Sequence, residues 1–127
     1  MAGTFVDLHG VRVYQVAPTG PELRTVRDAV DLISAAAEQR ADLIAIPVDR
    51  LGDDFFELRT CIAGEIVQKF AMYGRRIVIL GDIARRIAAS NSLAAFVAES
   101  NRGQTTWFLS TLSELENRLS KLQFESS

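Results

Sequence analysis

Three features of the sequence predict an α/β fold: a single domain with one mixed, mostly parallel five-stranded sheet flanked by four helices. The runs Leu43–Ile46 and Ile77–Leu80 are continuously apolar and of strand length, which suits strands covered on both faces, as parallel strands usually are. Stretches with apolar residues at helical spacing alternate with such runs, an order that implies right-handed crossovers. Ahead of them stand two short strands joined by His9-Gly10, which should pair antiparallel through a tight turn with Gly10 at positive φ.

Taken in order, Thr4 to Leu8 and Val11 to Val16 form this hairpin, and Pro18, Gly20 and Pro21 break the chain after it. Val26, Val30, Ile33 and Ala37 then recur at helical spacing behind a Thr25/Asp28 capping box, predicting a helix to about Arg40. Leu43 to Ile46 is a strand closed by Pro47. Asp54 and Glu57 give a second capping signature, and the pattern to Tyr73 predicts one continuous helix about 30 Å long, stopped at Gly74. Ile77 to Leu80 is the next strand, ended by Gly81-Asp82. A helix marked by Leu93, Phe96 and Val97 is entered from Ser90 and left through Asn101-Arg102-Gly103, with Gly103 as the residue past its end. Thr105 to Leu109, β-branched and aromatic, is the last strand. Thr111 and Glu114 cap a final helix striped by Leu112, Leu115, Leu119 and Leu122, and 123–127 reads as a flexible tail.

Composition narrows the function. A chain of 127 residues that is 48% hydrophobic can bury a core without a metal or disulfide. Its 14 basic and 16 acidic side chains leave a net charge of -2, so charge does not direct it to nucleic acid or an anionic membrane. One cysteine excludes an internal disulfide and offers no zinc spacing. The N-terminus lacks a charged-then-apolar leader pattern, and apolar runs are too short to span a bilayer. A soluble, cytoplasmic chain is the expectation, with no cofactor.

At the carboxyl edge of such a sheet, where ligands of open α/β folds bind, the topology gathers Asp49, Asp53, Asp54, Asp82 and Arg85. Arg75-Arg76 belong to the opposite edge, about 20 Å from Arg85-Arg86 along the intervening strand, so the two pairs cannot form one groove for a nucleic-acid backbone. On the helix read from Asp54 to Tyr73 the apolar arc spans about 180°, against about 100° for an ordinary surface helix. The excess points either to unusual burial or to a second covered surface. On the latter reading Phe55, Phe56, Phe70 and Tyr73 belong to a partner interface, with a homodimer as the expected assembly. Arg59 falls inside the arc: it either snorkels to water or pairs with Asp82 or Asp49 to grip a carboxylate or phosphate. Asp82 itself also suits a cap on the following turn. Gly64, mid-helix, calls for close approach of another backbone. Glu65 and Lys69 read as an i,i+4 pair, Cys61 as an inert small residue, and the sole histidine, His9, as a turn residue. Neither a hydrolytic triad, a histidine-based metal site nor a glycine-rich phosphate loop is encoded, and Asp53-Asp54 read as complements to a helix dipole rather than cation ligands.

The segments Asp54-Phe55-Phe56-Glu57-Leu58-Arg59-Thr60, Ile62-Ala63-Gly64-Glu65-Ile66, Gln68-Lys69-Phe70, Ile77 to Asp82 and Glu99-Ser100-Asn101-Arg102-Gly103 closely resemble the bacterial domain of unknown function 4180 family, over roughly Val6 to Leu119. That resemblance implies no activity. The order of elements is also similar to the anti-sigma-factor antagonist (STAS) arrangement, whose members dock on partner proteins and are often switched by phosphorylation of a serine after the third strand. Here that place holds Asp53-Asp54, constitutive acid where phosphate would go. The preferred reading is a non-catalytic interaction or regulatory module. The alternative is an anionic-ligand binder or enzyme with a pocket around Arg59, Asp49 and Asp82.

Overall fold

The computed structural model describes residues 3–126, with side chains through Lys121. Strand β1 (Gly3–Leu8) turns through His9 and Gly10 into β2 (Val11–Val16). Both turn residues have positive φ, 53° and 83°, as a primed two-residue turn requires, and Leu8 pairs with Val11 across it. Helix α1 (Val26–Glu38) starts at the expected box. The Thr25 hydroxyl accepts the Asp28 N–H at 3.1 Å, and the Asp28 carboxylate accepts the N–H groups of Thr25 at 3.0 Å and Arg24 at 2.8 Å. The Arg24 bond, ahead of those from Thr25, holds Asp28 below the usual carboxylate pKa.

Strands β3 (Leu43–Pro47), β4 (Arg76–Leu80) and β5 (Thr106–Leu109) complete a sheet of order β1-β2-β3-β4-β5, in which only β1 and β2 are antiparallel. Strand order repeats chain order, so successive right-handed crossovers fall on one face. There α1, α3 (Ile62–Met72) and α5 (Asn91–Arg102) pack Ala29, Ile33, Ile66, Phe70, Leu93 and Val97 against Ile44, Ile46, Ile77, Ile79 and Phe108. On the other face α6 (Leu112–Ser126) sets Leu115 and Leu119 over Leu43, Ala45, Val78 and Trp107. Both faces of β3 and β4 are therefore covered, as their apolar runs predict. Leu122 and the side chains of 123–127 lie outside the described residues.

The long helix expected from Asp54 to Tyr73 is not continuous. It is divided into α2 (Asp53–Phe56), a 3-10 turn Leu58–Thr60, and α3, with Cys61 in the left-handed region at φ 67°. Thr60 makes the break: its hydroxyl lies 2.8 Å from both the Asp54 and Glu57 carbonyls and accepts the Ile62 N–H at 3.3 Å. It closes α2 and opens α3 with one side chain. Gly74, φ 67°, ends α3 as expected. A short helix α4 (Ala84–Ala89) occupies what reads as a connection, and Ser90 caps α5 by accepting the Leu93 N–H at 3.1 Å. Six helical segments thus stand in place of four. Gly103 does end α5, but in extended backbone at φ -90° and ψ -168°, and its carbonyl receives the Trp107 indole N–H at 2.9 Å.

The two edges of the sheet differ. At β5 the Asn101 side chain acts as an adjoining strand would, accepting the Phe108 N–H at 2.7 Å and donating to the Phe108 carbonyl at 3.2 Å. Edge strand β1 pairs with β2 alone. No helix among the described residues is long and apolar enough to cross a membrane.

Candidate functional site

The carboxyl edge carries the concave surface, but not around the residues the sequence singles out. Arg59 lies on the 3-10 turn with its side chain 86% exposed, and its ion pair is with Glu57 at 3.5 Å, not with Asp82 or Asp49. The break at Thr60 and Cys61 takes Arg59 off the helical lattice that would aim it at the sheet. Asp82 accepts the Ala84 N–H at 3.0 Å, a turn-closing bond two residues along its own chain. Asp49 is exposed on the turn Val48–Arg50. Sequence proximity therefore does not assemble these three into a grip for an anion.

The expected interface residues divide in the same way. Phe55, Phe56 and Phe70 are 2%, 5% and 0% exposed and belong to the core, whereas Tyr73, at 54%, remains on the surface beside Met72. This burial corrects the expected interface: the wide apolar arc reflects a broken helix, with α2 burying its adjacent phenylalanines and α3 burying Ala63, Ile66 and Phe70 at positions of one face. Gly64 is exposed, and a methyl group added at its Cα would meet no atom within 4 Å, so close backbone approach within the chain does not explain it.

Chemistry by nucleophile and base finds no geometry. The exposed Cys61 opens α3 at the carboxyl edge, whereas His9, in the β1–β2 turn, stands at the amino edge 4.0 Å from Glu116. Among the described residues no three His, Cys, Asp or Glu side chains are placed to hold a metal. Arg75 and Arg76 lead into β4 at the amino edge, bonded to the Ala41 and Gln104 carbonyls, while Arg86 at the far edge pairs with Asp53 at 2.9 Å and stacks over Phe56. The two basic pairs stay apart, as the topology requires.

What the edge does build is a pair of adjoining clefts. The larger, about 450 Å³, lies between the end of β2, the loop 17–23 and the α1 face carrying Asp28, Asp31, Leu32 and Ala35, with Tyr14 and Val16 along β2. β1 and β2 are joined by a tight turn with no helix between them, and among the described residues the flank of α1 next to the hairpin is open. The smaller, about 320 Å³, lies between Glu22–Arg24 and Leu51–Phe55, with Ile62 beside it. Arg50 fixes the shared rim: its guanidinium donates to Pro21 O at 2.7 Å, Ala17 O at 2.9 Å and Thr19 O at 3.3 Å. A short parallel bridge joins Leu23 to Leu51, and the Leu23 N–H donates to the Arg50 carbonyl at 2.8 Å. Arg50, Tyr14 and Asp31 were not selected by sequence reasoning, because nothing local marks an arginine that binds carbonyls some thirty residues upstream. The helical spacing of residues 28, 31, 32 and 35 was the legible clue to the cleft wall.

Charge at this edge is balanced toward acid. Arg24 is paired with Glu22 at 3.1 Å, Arg59 with Glu57 and Arg86 with Asp53, which leaves Asp49, Asp54 and Asp82 on the acidic side and Arg85 on the basic side without an ion-pair partner among the described residues. The first turns of α1, α2, α3 and α6 carry carboxylates of their own, Asp28, Asp53 with Asp54, Glu65 and Glu114.

No curated protein and no solved structure matches the chain. A family model does match, over residues 8–119, and its span takes in the Thr60 break, both clefts and the Asn101 edge cap; the chain belongs to the family described as domain of unknown function (DUF4180).

Proposed function

We propose that the chain is a non-catalytic interaction module that assembles through the free edge of β1, with a second copy of itself as the occupant. The observation that carries this reading is the contrast between the edges of the sheet: β5 is capped at Phe108 by Asn101, whereas among the described residues β1 has no neighbour beyond β2. Exposed edges are ordinarily blunted by charged side chains, lysine above all, by proline or by a bulge. The sequence of β1, Gly-Thr-Phe-Val-Asp-Leu, holds a single charge, Asp7, with no lysine or proline, and its register with β2 is regular over six pairs.

Register defines which groups are offered. A two-residue turn closes on a hydrogen-bonded pair, here Leu8 with Val11, and bonded pairs alternate along an antiparallel ladder. Leu8, Val6 and Thr4 therefore bond β2, and Asp7, Phe5 and Gly3 direct their N–H and C=O groups outward. Antiparallel pairing about a two-fold axis at Phe5 sets Asp7 against Gly3 of the second copy, so no acid opposes an acid, and brings two phenylalanines together as a cross-strand pair. About six hydrogen bonds at roughly 0.5–1.5 kcal/mol net each, set against an association cost of about 4–15 kcal/mol, leave about 5 kcal/mol at most, a dissociation constant of about 0.2 mM or weaker. The separation of Cys61 from His9 supports the non-catalytic side of the proposal. The in-order strands with intervening helices support the STAS analogy, in which a domain acts by docking, and a cytoplasmic setting, where an exposed thiol stays reduced, suits it.

Asp7→Pro tests the edge directly. Its N–H points away from β2, so proline removes an outward donor and leaves the β1–β2 ladder intact. Sedimentation equilibrium at millimolar concentration should give a mean mass well above that of one chain for the wild type and a single chain mass for the variant, with unchanged circular dichroism. A monomeric wild type, or a variant that dimerises equally, overturns the proposal.

A further inference from the structure

We infer that the larger cleft binds a small organic cation: an ammonium group carried on an aromatic or branched aliphatic body. The cleft has the volume of a small-molecule site, which commonly runs to about 300–1,000 Å³. Tyr14, Val16, Leu32, Ala35 and Pro21 supply apolar wall, and its shape is preset because Arg50 ties the rim loop to the end of β3 through three carbonyls.

The sign of the ligand follows from the charged groups around that wall. Three carboxylates, Glu22, Asp28 and Asp31, line the cleft against one guanidinium, Arg50, whose Nε and Nη1 face loop carbonyls. Glu22 is held by Arg24 and Asp28 by the two N–H groups at the start of α1. Asp31 has no partner among the described residues. It stands on α1 beside Leu32 and one turn before Ala35, so an ammonium at Asp31 lays an apolar body along the helix toward Tyr14. A carboxylate ligand in the same place meets like charge from Asp31, a repulsion that strengthens where the surroundings are less polar than water. The positive end of α1 already faces a carboxylate of its own, Asp28 in the first turn, whose N–H is taken by Thr25.

Phenethylammonium and phenylacetate, alike in size and opposite in charge, test this by titration of the full chain followed by amide NMR shifts and calorimetry. The expected result is saturable binding of phenethylammonium in the millimolar range or tighter, with shifts confined to residues 14–23 and the cleft face of α1, and no saturation by phenylacetate. Asp31→Asn should weaken binding about threefold, the scale of an exposed ion pair. Ala35→Phe, at an exposed helix position, should fill the cleft and abolish binding while the fold is retained. Equal binding of phenylacetate, absence of saturable shifts, or an Ala35→Phe variant that binds like the wild type overturns the inference. The Asp7→Pro monomer should bind phenethylammonium unchanged, which keeps this site independent of the proposed assembly.

Discussion

Asn101 shows how one side chain can decide the behaviour of a sheet edge. Its amide supplies both a donor and an acceptor to the backbone of Phe108, the two groups an added strand would otherwise meet. The Arg118 guanidinium in turn binds the Asn101 carbonyl while lying 4.2 Å above the Trp107 ring, and burial, with the like charge of Arg76 adding to it, lowers the Arg118 pKa. Asn101→Ala should therefore lower stability by about 1–3 kcal/mol, the cost of unpairing half-buried polar groups, as read by urea unfolding. Asn101→Asp, which still accepts the Phe108 N–H but cannot donate, should fall between the two. A change below about 0.3 kcal/mol for alanine would show that the edge cap is not structural. The sequence singled out Glu99 to Gly103 as a distinctive motif, and only the fold assigned its parts: Arg102 pairs with Glu99, Asn101 covers the edge, and Gly103 receives the Trp107 indole.

Helix boundaries follow from the same logic one level up. An apolar arc of about 180° is too wide for one surface helix, and the chain resolves the excess by breaking. Phe55 and Phe56, adjacent and so about 100° apart on a helix, both reach the core only because α2 has its own axis. The break places Cys61 in the left-handed region, which costs a non-glycine residue roughly 1–2 kcal/mol. Cys61→Gly should consequently stabilise the protein by about 0.5–1 kcal/mol after the added unfolded-state entropy of glycine is deducted. In an unbroken helix the same change would destabilise by up to about 1 kcal/mol, so the sign of the shift in thermal midpoint decides between the two geometries. The capping box at Thr25, the turn at His9-Gly10 and the stop at Gly74 were legible because each depends on contacts within a few residues. The continuation through Thr60 was misread because the apolar spacing runs on past the break, while the Thr60 hydroxyl bonds that divide the helix leave no mark in that pattern.

Across the whole molecule, strands in chain order and crossovers of one hand put α1, α3 and α5, with the short α2 and α4, on one face and α6 on the other, and among the described residues leave the hairpin end of the helical face open beside α1. The larger cleft is a consequence of that asymmetry. Its rim depends on Arg50, which links the turn after β3 to the loop after β2. Arg50→Met should cost about 2 kcal/mol for the lost charge-assisted bonds and speed amide hydrogen exchange at residues 17–23, with α3 and α5 unaffected. Uniform acceleration across the chain would instead mean that Arg50 supports the core at large.

By itself the sequence determined the class of fold, the strands, the caps at Thr25 and Thr111 though not the one expected at Asp54, and the separation of the two arginine pairs, because alternation, apolar run length and short-range hydrogen bonding are written in neighbouring residues. Tertiary structure alone decided that Arg59 faces solvent, that Phe55, Phe56 and Phe70 are core, that β5 is closed while β1 is open, and that Arg50 reaches across to shape a cleft. Those outcomes depend on contacts between residues distant along the chain, whose geometry no local pattern specifies.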